Sequence, residues 1–289
     1  MTNGQHHHEH GHTHGHSHGD GGDAMLAELL DLDAEVLGES LSEVAGWVAG
    51  HAGPLPAGRV LDLGCGTGTG TFALLRESAD AEVQAVDGSE FMLERLRERA
   101  RALGVEKRVR TVRADLDGAW PDFGTVDVVW TSAFMHHLAD PDEALRKLYA
   151  SLRPGGLLAV IELAGFPRFL PDTLGDGLEG RCQAVVDEWR TQEMPHIGDD
   201  WGARLRDAGF VVEEERAFDT ELRSPLTEAA RRYARASLGR TRERAADRLS
   251  SADLALLDAL LDPEGPESLA RRDDLLVRAS RIAWAARRP

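Results

Sequence analysis

Between residues 59 and 163 the chain alternates, over short connections, between contiguous apolar runs and stretches whose apolar residues recur every three or four positions. Residues 59–63, 82–86, 109–114, 126–131 and 157–163 read as strands, and 69–78 and 89–103 as helices, the second with Met92, Leu96 and Leu103 on one face. A third helix starts at Asp140, where a capping carboxylate, a first-turn proline (Pro141) and Glu143 stand together. Leu145, Leu148 and Leu152 continue it until Pro154-Gly155-Gly156 stops it. The run 126–131 is almost wholly apolar, as in a strand covered on both faces. Strands alternating with helices in this way predict a parallel sheet between two layers of helices.

The flanking segments follow other rhythms. Helical spacing from Met25 to Ala49 predicts two leading helices, and Pro54 and Pro56 mark a turn into the first strand. After Ala164 the alternation breaks: 166–195 is a connection with helical character around 182–190, and 199–208 is a helix ended by Gly209. Residues 210–216 and 275–285 supply a sixth and seventh strand, separated by a helical insertion on the sheet edge. The division expected is a histidine-rich tail (1–24), N-terminal helices (25–50), a core (51–217 and 275–289, with 165–198 as a connecting cap) and the insertion (218–274).

Charge and composition narrow the partners. Fifty acidic residues against 33 basic ones give a formal charge of −17, which repels a polyphosphate backbone, so nucleic acid is not the expected partner. The best apolar run, 157–164, is far short of a membrane span and contains Glu162, and no signal peptide is expected. Cys65 and Cys182, far apart, suit a reducing compartment, and the expected location is cytoplasmic. His6, His7, His8, His10, His12, His14, His16 and His18 lie in a polar stretch with no apolar anchor, expected to be disordered. Such imidazoles bind Ni, Cu or Zn weakly, with nothing to fix a geometry, so no specific metal site is expected.

The chemistry is concentrated in Val60-Leu61-Asp62-Leu63-Gly64-Cys65-Gly66-Thr67-Gly68, which puts three glycines between the first strand and its helix. Glycine lets the backbone bend tightly and approach a ligand, and the free N–H groups of the helix start favour an anionic group. A dinucleotide fingerprint, G-x-G-x-x-G, is not completed: counted from Gly64 its last position is Thr69, and from Gly66 it is Thr71. A nicotinamide oxidoreductase is therefore not the expected activity.

This run resembles the first motif of the class I S-adenosylmethionine-dependent methyltransferases, and the resemblance extends from about Arg59 to Leu163. Asp87 closing Val83-Gln84-Ala85-Val86-Asp87, Asp115 in Arg113-Ala114-Asp115-Leu116, the fourth strand through Ser132, and Leu152-Arg153-Pro154-Gly155-Gly156 match at the expected places. The family implies a Rossmann-like, doubly wound, mostly parallel seven-stranded sheet with helices on both faces, S-adenosyl-L-methionine as cofactor, and methyl transfer to a small-molecule acceptor. It implies cofactor contacts at Asp62, Gly64, Cys65, Gly66, Gly68, Asp87, Gly88, Ser89, Asp115, Leu116, Thr131 and Ser132. Asp87 would take the ribose hydroxyls and Asp115 the adenine amino group, with Leu116 offering its backbone; Gly64, Gly66 and the helix start would face the methionine carboxylate and Asp62 its ammonium. Local roles stand beside these, Asp62 as a turn acid and Asp87 as a neighbour of the cap Ser89.

Methyl transfer is a direct displacement, which needs a general base only when the acceptor must lose a proton. His136 and His137, after the fourth strand, are candidates for that base or for loop hydrogen bonding. Trp189, Met194, His196 and Trp201 either line an acceptor pocket or fill the core. Arg231, Arg232, Arg235, Arg240, Arg242, Arg244 and Arg248 either draw a carboxylate-bearing acceptor or form a solvated helix face. A nucleoside-binding protein without transfer, and a metal carrier built on the histidine tail, are the alternatives to the enzyme.

Overall fold

The computed structural model describes residues 20–53 and 58–289. The histidines His6 to His18, the disorder expected for that segment, and the turn at Pro54 and Pro56 lie outside the described residues.

Seven strands form one sheet: β1 (Arg59–Leu63), β2 (Glu82–Asp87), β3 (Val109–Arg113), β4 (Val126–Ser132), β5 (Leu152–Leu163), β6 (Val211–Arg223) and β7 (Leu276–Arg287). Their order is β3-β2-β1-β4-β5-β7-β6, with β7 antiparallel to both neighbours and the other pairings parallel. Strand order reverses between β1 and β4, which opens a crevice at their carboxyl ends. This is the doubly wound, Rossmann-like, mostly parallel sheet that the family resemblance implies.

Alternating side chains divide the strands between two apolar layers. Val60, Val83, Ala85, Val128, Trp130 and Ala159 pack on α2 (Gly38–Ala52), α3 (Thr69–Glu77) and α4 (Glu90–Ala102). Leu61, Leu63, Val86, Val129, Leu158 and Val160 pack on α5 (Pro141–Ser151) and α7 (Trp201–Asp207). Burying each large side chain contributes roughly 1.5–3 kcal/mol, so two filled layers hold the strand ends in fixed register. The predicted cap of α5 is formed, Asp140 accepting from the Glu143 N–H at 2.8 Å.

A third apolar cluster lies off the sheet. It joins α1 (Asp20–Val36), α6 (Leu178–Glu193), α8 (Glu228–Ala245) and α9 (Ser251–Leu261) through Leu29, Leu32, Phe169, Cys182, Tyr233 and Leu257. The first two helices thus have different loyalties. Most of α2's buried face, Val44, Ala45 and Val48, belongs to the sheet, whereas α1 belongs to the cap.

Several boundaries differ from the sequence expectation. Helix α1 begins at Asp20, inside the stretch 1–24 assigned to the tail, because Asp23 ties it to the core by accepting from Ser89 Oγ at 2.6 Å. The sixth strand runs on to Arg223, so the insertion starts at Ser224 rather than at 218. Phe218 is buried there while its neighbours face outward, a period-two pattern paired with β7 across its length. Helix α5 ends at Ser151, before the Pro-Gly-Gly run, and β5 already starts at Leu152 with a bulge: Val126 pairs Leu152, but Val128 pairs Leu157.

Candidate active site

The glycine turn closes against the exit of β2. The N–H groups of Gly64 and Cys65 both donate to the Val86 carbonyl at 2.9 Å. Gly64, Gly66 and Gly68 have φ of 69°, 51° and 90°, a region that side-chain-bearing residues avoid. Space forbids a side chain as well: a Cβ on Gly64 would sit 2.1 Å from the Phe134 ring, and one on Gly68 2.7 Å from Phe72. Leu30 of α1 lies over Gly66.

Asp87 knits the neighbouring exits together. Its carboxylate accepts from the Gly66 and Ser89 N–H groups, each at 2.9 Å, and its carbonyl accepts from the Ala114 N–H at 3.1 Å. Gly66, Asp87 and the Ala114-Asp115 pair are therefore contiguous. Ser89 caps α4, accepting from Met92, so the local role considered for the Asp87-Ser89 pair is formed. It leaves capacity to spare, since two N–H groups use about half of a carboxylate's four acceptor positions. Asp115 is exposed at this edge with Leu116 buried beside it, and Gly88 is exposed with its carbonyl accepting from Arg113. Thr131 and Ser132 end β4, Thr131 lying opposite Leu63. The Thr131 hydroxyl is buried with no hydrogen-bond partner among the described residues.

Asp62 lies beneath the turn, 2% exposed, accepting from Thr71 Oγ1 at 2.5 Å. Burial pushes its carboxyl up to about 7, the Thr71 bonds opposing and the charge of Asp87 adding. Burial also raises Asp87, against the two N–H bonds. The Cys65 thiol is buried and pushed well above its usual range by burial and then by the two acids.

A second set of groups stands at the exits of β4 and β5. His136 and Glu162, 4% and 6% exposed, meet through Nδ1 and Oε2 at 2.6 Å. His137 is exposed, its ring 4.2 Å from that of His136, centre to centre. The link between β4 and His136 carries Ala133 at φ 51°, a strained conformation of the kind found where a fold holds residues in a special place. Beyond Glu162, Arg190 of α6 is buried, with its guanidinium 3.9 Å above the Phe166 ring.

The candidates for an acceptor pocket separate. Trp201 is buried in the core layer beneath β7, as filling. His196 is engaged by Asp199 and Arg204, at 3.2 and 3.1 Å. Met194 and Trp189 are half-buried, and the Trp189 ring lies 4.5 Å under Arg244. Sequence reasoning passed over Glu162, Phe134, Arg190 and Thr71 as site residues. Only Glu162 carried a usable signal, since a carboxylate inside the apolar run Leu157 to Ala164 must find a partner when buried.

Among the described residues no group of His, Cys, Asp or Glu is arranged to hold a metal ion, and no helix is long and apolar enough to cross a membrane.

Comparison with known proteins agrees with this geometry. Residues 60–156 match a family model described as a methyltransferase domain. A 27-O-demethylrifamycin SV methyltransferase of Amycolatopsis mediterranei is 31% identical over 205 residues, 70% of this chain and 72% of that protein. Among solved structures, the cyclase SpnF aligns with a TM-score of 0.55 at 21% identity, over 92% of this chain and 94% of its own. A geranyl diphosphate methyltransferase in complex with SAM aligns at 0.51 and 18%, over 95% and 93%. The chain belongs to the class I S-adenosylmethionine-dependent methyltransferases. Its residues fit that cofactor: Gly64 and Gly68 are bare where a Cβ would collide and Gly66 where one would crowd Leu30, beside a carboxylate with spare acceptor positions.

Proposed function

We propose that this methyltransferase acts on a small-molecule acceptor seated at the exits of β4 and β5, with His136 receiving the proton the acceptor gives up. The observation that carries this reading is the buried His136–Glu162 pair, one strand away from the crevice between β1 and β4. The relative named for 27-O-demethylrifamycin SV supports an acceptor of this size. Two buried free cysteines accord with a cytoplasmic setting.

S-adenosylmethionine, when bound, supplies a methyl group on a sulfonium, ready for displacement. The start of α3 would receive its carboxylate beside Gly64 and Gly66, whose own N–H groups are spent on Val86 and Asp87 rather than free as the sequence led one to expect, and Asp62 would receive its ammonium. Asp87 would receive its ribose hydroxyls, and Asp115 and Leu116 its adenine. Cys65, Gly68, Gly88, Ser89, Thr131 and Ser132 would complete the walls. Phe134 and Leu30, lying over the turn, would exclude water from the reacting atoms. Glu162, by accepting the Nδ1 proton of His136, would fix the tautomer in which Nε2 is the basic nitrogen, the arrangement that suits a general base.

The test is release of S-adenosylhomocysteine when the protein is incubated with S-adenosylmethionine and a panel of hydroxyl-, amino- and carboxyl-bearing small molecules. Acceptor-dependent release is expected, with kcat reduced in Glu162→Gln. An acceptor turned over equally fast by Glu162→Gln would contradict the assigned base.

A further inference from the structure

The arginines of α8 and of the turn that follows it fall into two groups. Arg231 donates to the carbonyls of Leu269 and Arg272, Arg232 pairs with Glu28, and Arg242 pairs with Asp258. Arg235 and Arg248 are exposed, as on a solvated face. Arg240 and Arg244 differ. Both are half-buried, stand one helical turn apart on the same face, and have no carboxylate within ion-pair distance among the described residues.

Arg244, stacked on Trp189, lies near a third cation. Arg190, on the packed neighbour α6, is 4% exposed; its only ion pair is with exposed Asp187 at 3.2 Å, and its Nε has no hydrogen-bond partner among the described residues. Aromatic rings hold two of the three guanidinium planes, Phe166 under Arg190 at 3.9 Å and Trp189 under Arg244 at 4.5 Å. Burial, then the like charges of Arg240 and Arg190, pull Arg244 down to about 10, and burial lowers Arg240 and Arg190. Arg190, stacked on Phe166 just beyond β5 and with Glu162 among the charges acting on it, turns its end of this cluster toward the His136–Glu162 pair.

Gathering three part-buried cations, with Asp187 on Arg190 the one acid in ion-pair distance among the described residues and Glu243 acting on Arg240 and Arg244 from further off, costs stability, and an anion arriving there reduces that cost. We propose that Arg190, Arg240 and Arg244 form a subsite for an oxyanion, a carboxylate or phosphate, carried by the methyl acceptor. This rests on the reading that the acceptor lies at the exits of β4 and β5, and it names the acceptor's class: a small molecule with an anionic group. Guanidinium forks match both oxyanions in bidentate fashion, so the two sources share one recognition chemistry.

Calorimetric titration of citrate and of pyrophosphate into the full chain, with S-adenosylhomocysteine present and ionic strength held constant with chloride, tests it. At least one probe should bind saturably, and the preferred one assigns carboxylate or phosphate. Arg240→Gln/Arg244→Gln should weaken that binding at least about tenfold while its affinity for S-adenosylhomocysteine stays unchanged. Failure of both anions to bind, or equal binding by the double variant, would overturn the proposal. Should the double variant no longer bind the nucleoside, Arg244→Lys decides: weaker anion binding there supports the subsite, and unchanged binding overturns it. Anion binding by a wild-type chain that ignores S-adenosylhomocysteine would fault the cofactor site and leave this subsite standing.

Discussion

The two halves of the carboxyl edge are built by different means. On the β1-β2-β3 side the site is largely backbone: a glycine turn, N–H groups of Gly66 and Ser89 on one carboxylate, and strand ends set by parallel pairing. On the β4-β5 side it is side chains brought from far apart, His136 and Glu162, with Arg190 of α6 beyond them and, in the subsite proposed above, Arg240 and Arg244 of α8. Local chain geometry makes the first half, and tertiary packing makes the second. The difference matches the division of labour proposed here, in which one half receives a cofactor of fixed shape and the other an acceptor peculiar to this enzyme.

Removing the acceptor-side base should sharpen the contrast most. His136→Asn is expected to lower kcat by about 10²–10⁴ for an acceptor that must lose a proton, while affinity for S-adenosylhomocysteine is retained. Single-turnover rates with matched calorimetry would check it, and a joint loss would mean the halves are not separable.

Gly64→Ala probes the cofactor side. A side chain at φ 69° costs about 1–2 kcal/mol, and overlap with Phe134 adds roughly 1–3 kcal/mol. Urea unfolding should show the sum, and a Phe134→Gly background, which removes the Cβ at 2.6 Å as well as the ring, should return only the second part. Equal loss in both backgrounds would show that Phe134 does not crowd this turn.

Asp62 ties stability to pH. Its folded-state carboxyl, raised from 3.8 to about 7, holds its proton where the unfolded chain has lost it. The unfolded state then binds fewer protons, so stability should fall as pH rises from about 4 to about 7 and level off above, by a few kcal/mol in all. Asp62→Asn should flatten that slope in the ligand-free protein. An unaltered slope would place the titration elsewhere.

How far the sequence could be read follows the same division. Strands β1 to β4 were legible to within a residue, because buried parallel strands are contiguous apolar runs and their turns are written in glycine and aspartate. Asp87 and the glycine turn stood out because each stands at the end of an apolar strand, although the bond between Gly66 and Asp87 that joins them is not local in sequence. Glu162 was visible only as a charge interrupting an apolar strand, since its partner His136 is supplied by the preceding strand's exit. Arg240 and Arg244 look like Arg242 in sequence; what separates them is that Asp258 pairs with Arg242, while no acid among the described residues comes within ion-pair distance of the other two. The outer part of β6 was missed because Asp219, Thr220 and Glu221 resemble a polar loop until β7 pairs with them. The start of α1 was missed because its anchor, Ser89, lies on another element.

The central claim is that the crevice beside Gly66 and Asp87 holds S-adenosylmethionine, and calorimetric titration of that nucleoside into the parent chain and into Asp87→Ala tests it most directly. The parent should bind with one-to-one stoichiometry, and loss of the acceptor for the ribose hydroxyls should weaken binding by roughly 1–3 kcal/mol. An Asp87→Ala protein that binds as tightly as its parent, or a parent that does not bind, would contradict it.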